Sequence, residues 1–247
     1  NKKVALNYRT TDKTEMVNFN GYEYTRKPSE ISGGLMTRYD ETKPQVWRVP
    51  LRDEVVADVE VTAPGAGYIV PAAQAAIVGE KLRQHGVVFR KLDQGIARAN
   101  VETFRADKAT LDAASVEGHQ RLTVTGKWTA EPRAVTAGSL FVPIAQPKAR
   151  LVVAMFEPQA PDSLLAWGTF NTAFERKEYM EDYVAEDVAR EQMAADPKVA
   201  AEFAQRLASD PAFAKDPQAR LAFFAKRHSS YDERLNLYPV LRTDTAL

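Results

Sequence analysis

Three Asp-Pro pairs constrain the fold of the C-terminal part of this chain more tightly than any other feature of its sequence. They are Asp196-Pro197, Asp210-Pro211 and Asp216-Pro217. Each pair matches a helix start, because an Asp carboxylate at the N-cap accepts from free N–H groups and Pro at the first helical position has no N–H to lose. Val199, Phe203 and Leu207 then recur at helical spacing and predict a buried stripe. From about Asp162 onward the sequence therefore predicts a set of packed helices.

Residues 1–61 instead predict extended chain. The stretches MVNF and YEY flank Asn20-Gly21, a dipeptide that favours a type I′ hairpin turn because both residues tolerate positive φ. The stretches QVWRVPL and VVADVEV follow, and both are rich in β-branched residues. A β-rich N-terminal segment with a hairpin turn at Asn20-Gly21 is the prediction.

Residues 62–158 alternate strand and helix signals. The apolar run YIV (68–70) predicts a strand, and the helical pattern that follows stops at His85-Gly86. The stretch RLTVTGKW (121–128) and a second strand through Val135 predict a hairpin.

A faint repeat lies within this region, because YIVPAAQ (68–74) resembles LFVPIAQ (140–146). A true repeat would place two similar strands in one sheet, and independent use of a common local solution is the alternative. The whole chain is predicted to be α+β, with a mixed β-sheet region and a strand–helix core followed by a C-terminal helical subdomain. Its predicted segments are a β-rich segment 1–61, a mixed α/β core 62–158 and a helical region 159–247.

Composition excludes several classes of function. The 33 basic and 33 acidic residues cancel, so the chain lacks the electrostatic footprint of a nucleic-acid binder and no nucleic-acid partner is predicted. The absence of Cys excludes disulfides, thiolate zinc sites and a cysteine nucleophile. The longest uncharged run, residues 61–79, is interrupted by Pro and Gly, so no membrane span is predicted.

The Asp162–Ser163 pair is the first candidate for chemistry. A nucleophilic serine needs a nearby base and usually a sharp turn of the Gly-x-Ser-x-Gly kind, which the sequence lacks. Pro161 before the pair and LLAW after it are typical of a helix N-terminus. We interpret the pair as a cap, with Asp162 or Ser163 accepting hydrogen bonds from a helix that starts near Ser163.

The 3 His residues are the remaining candidate bases or metal ligands. His85 precedes Gly86 and matches a helix C-terminus, while His119 lies at a predicted strand start. His228 is followed by SSYD (229–232), which supplies triad residue types too close together for a linear Ser–His–Asp relay. No His-x-x-Glu or His-x-x-x-His spacing occurs, so no zinc site of those kinds is predicted.

An acidic segment follows Phe174, where we predict the start of a helix. Its carboxylates are those of Glu175, Glu178, Glu181, Asp182, Glu186, Asp187 and Glu191. Calcium needs oxygens that converge from a curved loop, whereas a straight helix projects them outward. Basic residues are interspersed, so we interpret the segment as a solvated face. For Trp47, Trp128 and Trp167 the prediction is core packing, since a glycan-binding platform needs exposed rings in a row.

Four longer stretches together resemble one known family. They are GYEYTRKPSEISGGLMTRYDETKPQVWRVPL (21–51), GYIVPAAQAAIVGEKLRQHGVVFRKL (67–92), GSLFVPIAQPKARLVVAMFEPQAPDSLLAWGTFN (138–171) and KEYMEDYV (177–184). They are similar to the C-terminal half of large bacterial secreted zinc metallocarboxypeptidases of the carboxypeptidase A-like family.

The resemblance implies that this chain is the non-catalytic part of a longer peptidase. In that family the catalytic domain comes first, with a His-x-x-Glu pair and a later His as zinc ligands and a Glu as general base, and none of these has a counterpart here. No catalytic, cofactor-binding or metal residue is therefore expected on this chain, and zinc is expected only in a catalytic domain outside it. The start without Met is expected to reflect cleavage or truncation of the longer protein, and a periplasmic or secreted location is implied.

The expected partner is that N-terminal catalytic domain of the same protein, which this chain would support or gate while the domain binds the peptide substrate. One alternative is an independent glycan- or peptide-binding module, which an exposed aromatic strip or a deep groove would favour. The other is a serine-type hydrolase that uses His228 or His119, which a buried Ser–His–Asp arrangement beside a pocket would favour.

Overall fold

The computed structural model describes residues 3–176 and 180–247, and both strands and helices are present, which confirms the α+β class. The chain forms two compact units, Asn1–Ala63 and Pro64–Leu247. The predicted division into residues 1–61, 62–158 and 159–247 stays a prediction.

The strands are β1 (Lys3–Thr10), β2 (Glu15–Pro28), β3 (Leu35–Leu51), β4 (Val55–Thr62), β5 (Gly67–Val70), β6 (Arg90–Lys91), β7 (Ile96–Leu111), β8 (Leu122–Val135), β9 (Leu140–Pro143) and β10 (Leu241–Thr243). The α-helices are α1 (Ala75–Gln84), α2 (Ala149–Phe156), α3 (Asp182–Ala195), α4 (Pro197–Ser209), α5 (Pro211–Lys215) and α6 (Pro217–Ala225). Short 3₁₀ helices cover Ala72–Gln74 and Asn171–Ala173.

The first unit consists of two antiparallel strand pairs that follow one another. β1 pairs with β4, and β2 pairs with β3 in a hairpin that we call the ribbon. Just beyond the β1–β4 pair, the Thr11 amide donates a hydrogen bond to the Glu54 carbonyl at 3.1 Å. The extended character predicted for this part of the sequence is thus confirmed.

The turn predicted at Asn20-Gly21 is wrong, since both residues lie inside β2. The turn is formed by residues 29–34, where Gly33 has a φ of 68°. Gly21 has a different purpose, because a Cβ added there would lie 2.5 Å from Cε2 of Trp47. The missing side chain lets the Trp47 indole lie flat across the ribbon, and that cross-strand packing outweighs the local turn preference.

The second unit contains a six-stranded sheet in the order β6-β9-β5-β10-β7-β8, in which every neighbouring pair is antiparallel. The repeated stretches form β5 and β9, which are adjacent with Ile69 opposite Phe141. The two similar strands of the repeat therefore lie in one sheet. The hairpin predicted within 121–135 is wrong, because that stretch is the single strand β8 and its partner is β7.

The Asp-Pro pairs begin helices as predicted. Asp196 accepts a hydrogen bond from the Lys198 amide at 2.9 Å. Asp210 and Asp216 cap the next two helices by accepting from the amides of Phe213 and Ala219. Val199, Phe203 and Leu207 pack as the predicted stripe against a cluster of phenylalanines. The helical prediction from Asp162 is wrong for residues 162–170, which form consecutive turns and bends.

A buried ion pair fixes β10 in the middle of the sheet. Glu157, which follows α2, has 1% of its surface exposed, and its Oε1 and Oε2 accept from Nε and Nη2 of Arg242 at 2.9 and 2.5 Å. Tyr68 Oη and Trp128 Nε1 donate to the same carboxylate at 2.5 and 3.1 Å. Burial, followed by the Glu157 charge, raises the pKa of Tyr68 far above its usual range, so the phenol stays a neutral donor.

We expect Arg242→Met to lower the free energy of unfolding by about 3–5 kcal/mol, because it leaves the Glu157 charge buried without a partner. The double variant Glu157→Gln/Arg242→Met should recover part of that loss, since the amide removes the uncompensated charge. Urea denaturation measures both values. A cost below about 1 kcal/mol for Arg242→Met, within the range of an ordinary surface substitution, would contradict this role for the pair.

Candidate functional site

The Asp162–Ser163 pair forms a cap, but it caps a turn. Ser163 is fully buried, and its Oγ accepts from the Ala166 amide at 3.0 Å. Asp162 is exposed, and its carboxylate instead accepts from Nε1 of Trp167 at 3.3 Å. Of the two residues proposed as the cap, Ser163 holds this position, and the helix expected after it is absent because the chain turns repeatedly up to Phe170.

Ser163→Ala is accordingly expected to cost about 0.5–2 kcal/mol of stability, the usual effect of removing a capping hydroxyl. Asp162→Ala should change stability by less than about 0.5 kcal/mol, because its one side-chain hydrogen bond lies at the surface. Thermal and urea denaturation of both variants test the difference. A larger loss for Asp162→Ala than for Ser163→Ala would contradict the assignment.

The three histidines occupy separate places. His85 follows the last residue of α1 and precedes Gly86, whose φ is 61°, as predicted. His119 packs edge-on against Trp167, with ring centroids 5.7 Å apart. His228 Nδ1 lies 2.8 Å from Ser230 Oγ on an exposed segment.

The serine–histidine contact at His228 does not extend to a triad. Asp232 directs its carboxylate to the backbone amide of Arg234 at 2.9 Å. The relay needs that carboxylate on the second imidazole nitrogen, and among the described residues no such hydrogen bond is formed.

The acidic segment begins its helix later than predicted, at Asp182 rather than Phe174. Arg190 pairs with Glu186 and Asp187 at 2.9 and 2.8 Å, as expected for a solvated face. Glu178 lies outside the described residues. Within residues 3–176 and 180–247, no group of three or more His, Asp or Glu side chains is arranged to hold a metal ion.

Among the described residues Glu157 is the one buried carboxylate, and a buried carboxylate is a natural candidate acid or base. Its two oxygens already accept four hydrogen bonds, two from Arg242 and one each from Tyr68 and Trp128. A carboxylate offers about four lone-pair positions, so none is left for a substrate. Glu157 therefore has a structural role.

The ribbon carries a different kind of feature, a row of aromatic side chains on one face. Phe19 lies directly opposite Trp47, and Tyr24 lies opposite Tyr39 beyond a register shift between Tyr22 and Glu23. Side chains that face each other across two strands lie on the same side of the sheet. We call Phe19, Tyr24, Tyr39 and Trp47 the aromatic face.

Trp47 is the centre of the aromatic face. Its ring centroid lies 6.1 Å from Phe19, 5.8 Å from Tyr24 and 6.1 Å from Tyr39. The three surrounding rings are 45–58% exposed. The prediction of core packing for Trp47 is therefore wrong, although Trp128 packs against the main core as predicted.

The other side of the ribbon mixes polar pairs with exposed apolar side chains, among them Met16, Tyr22 and Val46. It presents Asn18 opposite Arg48, Glu23 opposite Asp40 and Thr25 opposite Arg38. The aromatic face differs from this side by its packed rings, and a partial signal for it in the sequence is the position of Phe19 between Asn18 and Asn20.

The first unit has no core of its own under this face. Among its described residues, 3–63, only Gly21 and Ala63 are buried. Within the described chain β2 and β3 pair only with each other, so the outer edge of each strand is unpaired. An isolated two-stranded hairpin is marginally stable in water, and an unpaired edge is a ready site for another chain. In the described part of this unit, exposed aromatic rings and unpaired strand edges therefore occur together.

Comparison of the chain with protein-family models, with curated proteins and with solved structures finds no match. Among the helices of residues 3–176 and 180–247, none combines the length and apolar character needed to cross a membrane.

Proposed function

We propose that this chain is the non-catalytic C-terminal region of a zinc carboxypeptidase-like protein, and that it supports or gates the catalytic domain of that protein. Peptide hydrolysis would belong to the catalytic domain, which would hold the zinc and bind the peptide substrate. The observation that carries the proposal is the aromatic face, supported by the family resemblance of residues 21–51. A periplasmic or secreted location is proposed on the resemblance alone.

The character of the aromatic face favours a protein surface as its partner. Burial of half-exposed aromatic rings is a main source of affinity in protein interfaces, where Tyr and Trp are enriched. The unpaired edges of β2 and β3 add backbone donors and acceptors that a neighbouring strand can satisfy. A partner domain would supply the core that the first unit lacks.

A glycan- or peptide-binding module is the second candidate, because an exposed row of aromatic rings is also the feature that such modules use. The orientation of the rings argues against a flat sugar platform. Tyr24 meets the Trp47 ring at 81° and Tyr39 meets it at 36°, so the rings present edges as well as faces. A serine-type hydrolase has less support, since Asp232 is not placed on His228.

The first experiment measures binding of the chain to the catalytic domain of a zinc carboxypeptidase of the family it resembles. Phe19→Ser/Tyr39→Ser should weaken that binding by about 30-fold or more, the effect of losing one interface hot spot. Val46→Ser is the matched control, because Val46 is 60% exposed and lies on the opposite side of the ribbon. The control should bind within about threefold of the parent chain, since peripheral contacts contribute little.

Two results would count against the proposal. One is no association of the parent chain with the catalytic domain on size exclusion. The other is retention of the parent chain on an insoluble polysaccharide, together with loss of that retention in Phe19→Ser/Tyr39→Ser. That result would favour the glycan-binding module.

The isolated chain is expected to bind no catalytic zinc and to release no C-terminal residue from peptides. The reason is that zinc hydrolysis requires three protein ligands and an open position for water, and the sequence contains no such ligand spacing. Elemental analysis and a peptidase assay test this. About one zinc per chain together with chelator-sensitive release of C-terminal residues would contradict it.

A further inference from the structure

The closed end of the ribbon carries exposed apolar side chains that do not belong to the aromatic face. Ile31, in the turn of residues 29–34, has 92% of its surface exposed. Leu35 and Met36, which follow the turn, are 70% and 42% exposed. A single exposed apolar side chain is ordinary, whereas three within six positions form a group of the kind that marks an interaction site. We call residues 29–36 the tip.

The amide groups of the turn are already hydrogen-bonded within it. Oγ of Ser29 accepts from the amides of Ile31 and Ser32, both at 3.2 Å. The Gly33 amide donates to the Ser29 carbonyl at 2.9 Å, and the Gly34 amide donates to Oγ of Ser32 at 3.3 Å. An unpaired polar group is costly to remove from water. The internal bonding therefore lowers the cost of moving the turn into an apolar layer.

Basic side chains surround the tip on both sides of the ribbon. The last pairs of the β2–β3 ladder are Pro28 with Leu35, Lys27 with Met36, Arg26 with Thr37, and Thr25 with Arg38. Paired side chains share one side of a ribbon, and successive pairs alternate between its sides. Arg26 therefore lies on the side of Leu35, and the other two basic side chains lie on the side of Met36. At about 3.3 Å per residue, all three begin within about 10 Å of the last pair.

We call Arg26, Lys27 and Arg38 the basic collar. Among the described residues, none of the three forms an ion pair, although the Arg26 guanidinium lies 5.4 Å from the centre of the Tyr24 ring. Farther from the tip, in contrast, Lys43 pairs with two carboxylates of the ribbon itself. The charge of the basic collar is thus available to an external anion.

Positive charge is concentrated at this end of the ribbon. Between residues 24 and 39 the basic collar is accompanied by a single acidic residue, Glu30. The rest of the ribbon has the opposite balance, with four acidic residues against two basic ones, namely Glu15, Glu23, Asp40 and Glu41 against Lys43 and Arg48. Although the whole chain is neutral, an anionic surface would therefore attract the ribbon by its tip.

An apolar end surrounded by basic side chains matches a bilayer that contains anionic lipids, in which an apolar layer lies beneath negatively charged headgroups. A protein partner would contact one side of the ribbon. Lipid headgroups instead surround whatever is inserted among them, and the basic collar occupies both sides.

We propose that the tip inserts Ile31, Leu35 and Met36 into an anionic lipid surface while the basic collar contacts the headgroups. The contact is peripheral, because only one turn and the first pairs of a hairpin enter the interface. This site is separate from the aromatic face and goes beyond the proposed function, so either proposal can fail without the other.

The experiment is co-sedimentation of the whole chain with phosphatidylcholine vesicles that contain about one-quarter phosphatidylglycerol. We expect saturable binding that is at least about tenfold weaker to vesicles of phosphatidylcholine alone, because each basic residue near an anionic surface adds to the affinity. Raising the salt concentration should weaken the binding to the anionic vesicles. No binding to the anionic vesicles, or equal binding to both kinds, would overturn the proposal.

Two variants of exposed apolar residues separate the tip from the rest of the ribbon. Ile31→Ser/Leu35→Ser should weaken binding to the anionic vesicles by about tenfold or more, because two side chains no longer leave water for the apolar layer. Val46→Ser is the matched control, since Val46 is 60% exposed and lies opposite Asn20, away from the tip. The control should bind within about threefold of the parent chain. Equal binding of Ile31→Ser/Leu35→Ser and the parent chain would overturn the assignment to the tip.

A fluorescence readout tests insertion without removing an apolar side chain. The chain contains no Cys, so Ser32→Cys provides one site for a polarity-sensitive fluorophore in the turn. Its emission should shift to shorter wavelength when the anionic vesicles are added, whereas a fluorophore attached through Asn18→Cys, near the open end of the ribbon, should not respond. No shift at residue 32 would overturn insertion.

An acidic protein segment is the competing partner for the basic collar. Retention of the parent chain on immobilised polyglutamate, unchanged in Ile31→Ser/Leu35→Ser and accompanied by no binding to the anionic vesicles, would identify that partner and overturn the lipid proposal.

Discussion

The second unit depends on the buried ion pair between Glu157 and Arg242. Arg242 lies in β10, a strand of three residues that occupies the space between β5 and β7. Without β10 those two strands would not be neighbours, and the sheet would divide into β6-β9-β5 and β7-β8. The desolvation cost of burying two charges is offset because the carboxylate also receives the Tyr68 hydroxyl and the Trp128 indole N–H.

The first unit has no buried centre of this kind among its described residues. Its strands are long and well paired, and yet its described residues bury almost nothing. The residues that would normally form a core, the aromatic face, are instead exposed. A sheet of two strands has no second layer against which to bury such a face. The function we propose follows from this missing layer.

Local signals in the sequence predict what is determined locally. The Asp-Pro helix starts and the end of α1 at His85-Gly86 are correct because capping depends on residues within one turn. The position of β10 could not be predicted, since Leu241–Thr243 carries no strand pattern and its place depends on Glu157, far away in sequence. β7 is hidden for a related reason, because charged residues such as Arg105 lie between its buried positions.

The candidate sites also depend on contacts that local sequence patterns do not show. Nothing local in the sequence shows that Gly21 accommodates Trp47, and for this reason the predicted core packing of Trp47 and the predicted turn at Asn20-Gly21 are both wrong. The repeat identifies two similar glutamines, but only the structure distinguishes Gln146, which is hydrogen-bonded to Val88, from Gln74, whose Oε1 has no hydrogen-bond partner among the described residues.

The central claim is that the ribbon depends on a partner for its order, and amide hydrogen exchange tests it most directly. In the isolated chain the β2–β3 amides should exchange much faster than those of β7–β8, because a pairing without a covering layer opens readily. Addition of the catalytic domain should slow exchange in β2–β3 and leave β7–β8 unchanged. Protection of β2–β3 equal to that of β7–β8 in the isolated chain would contradict the account.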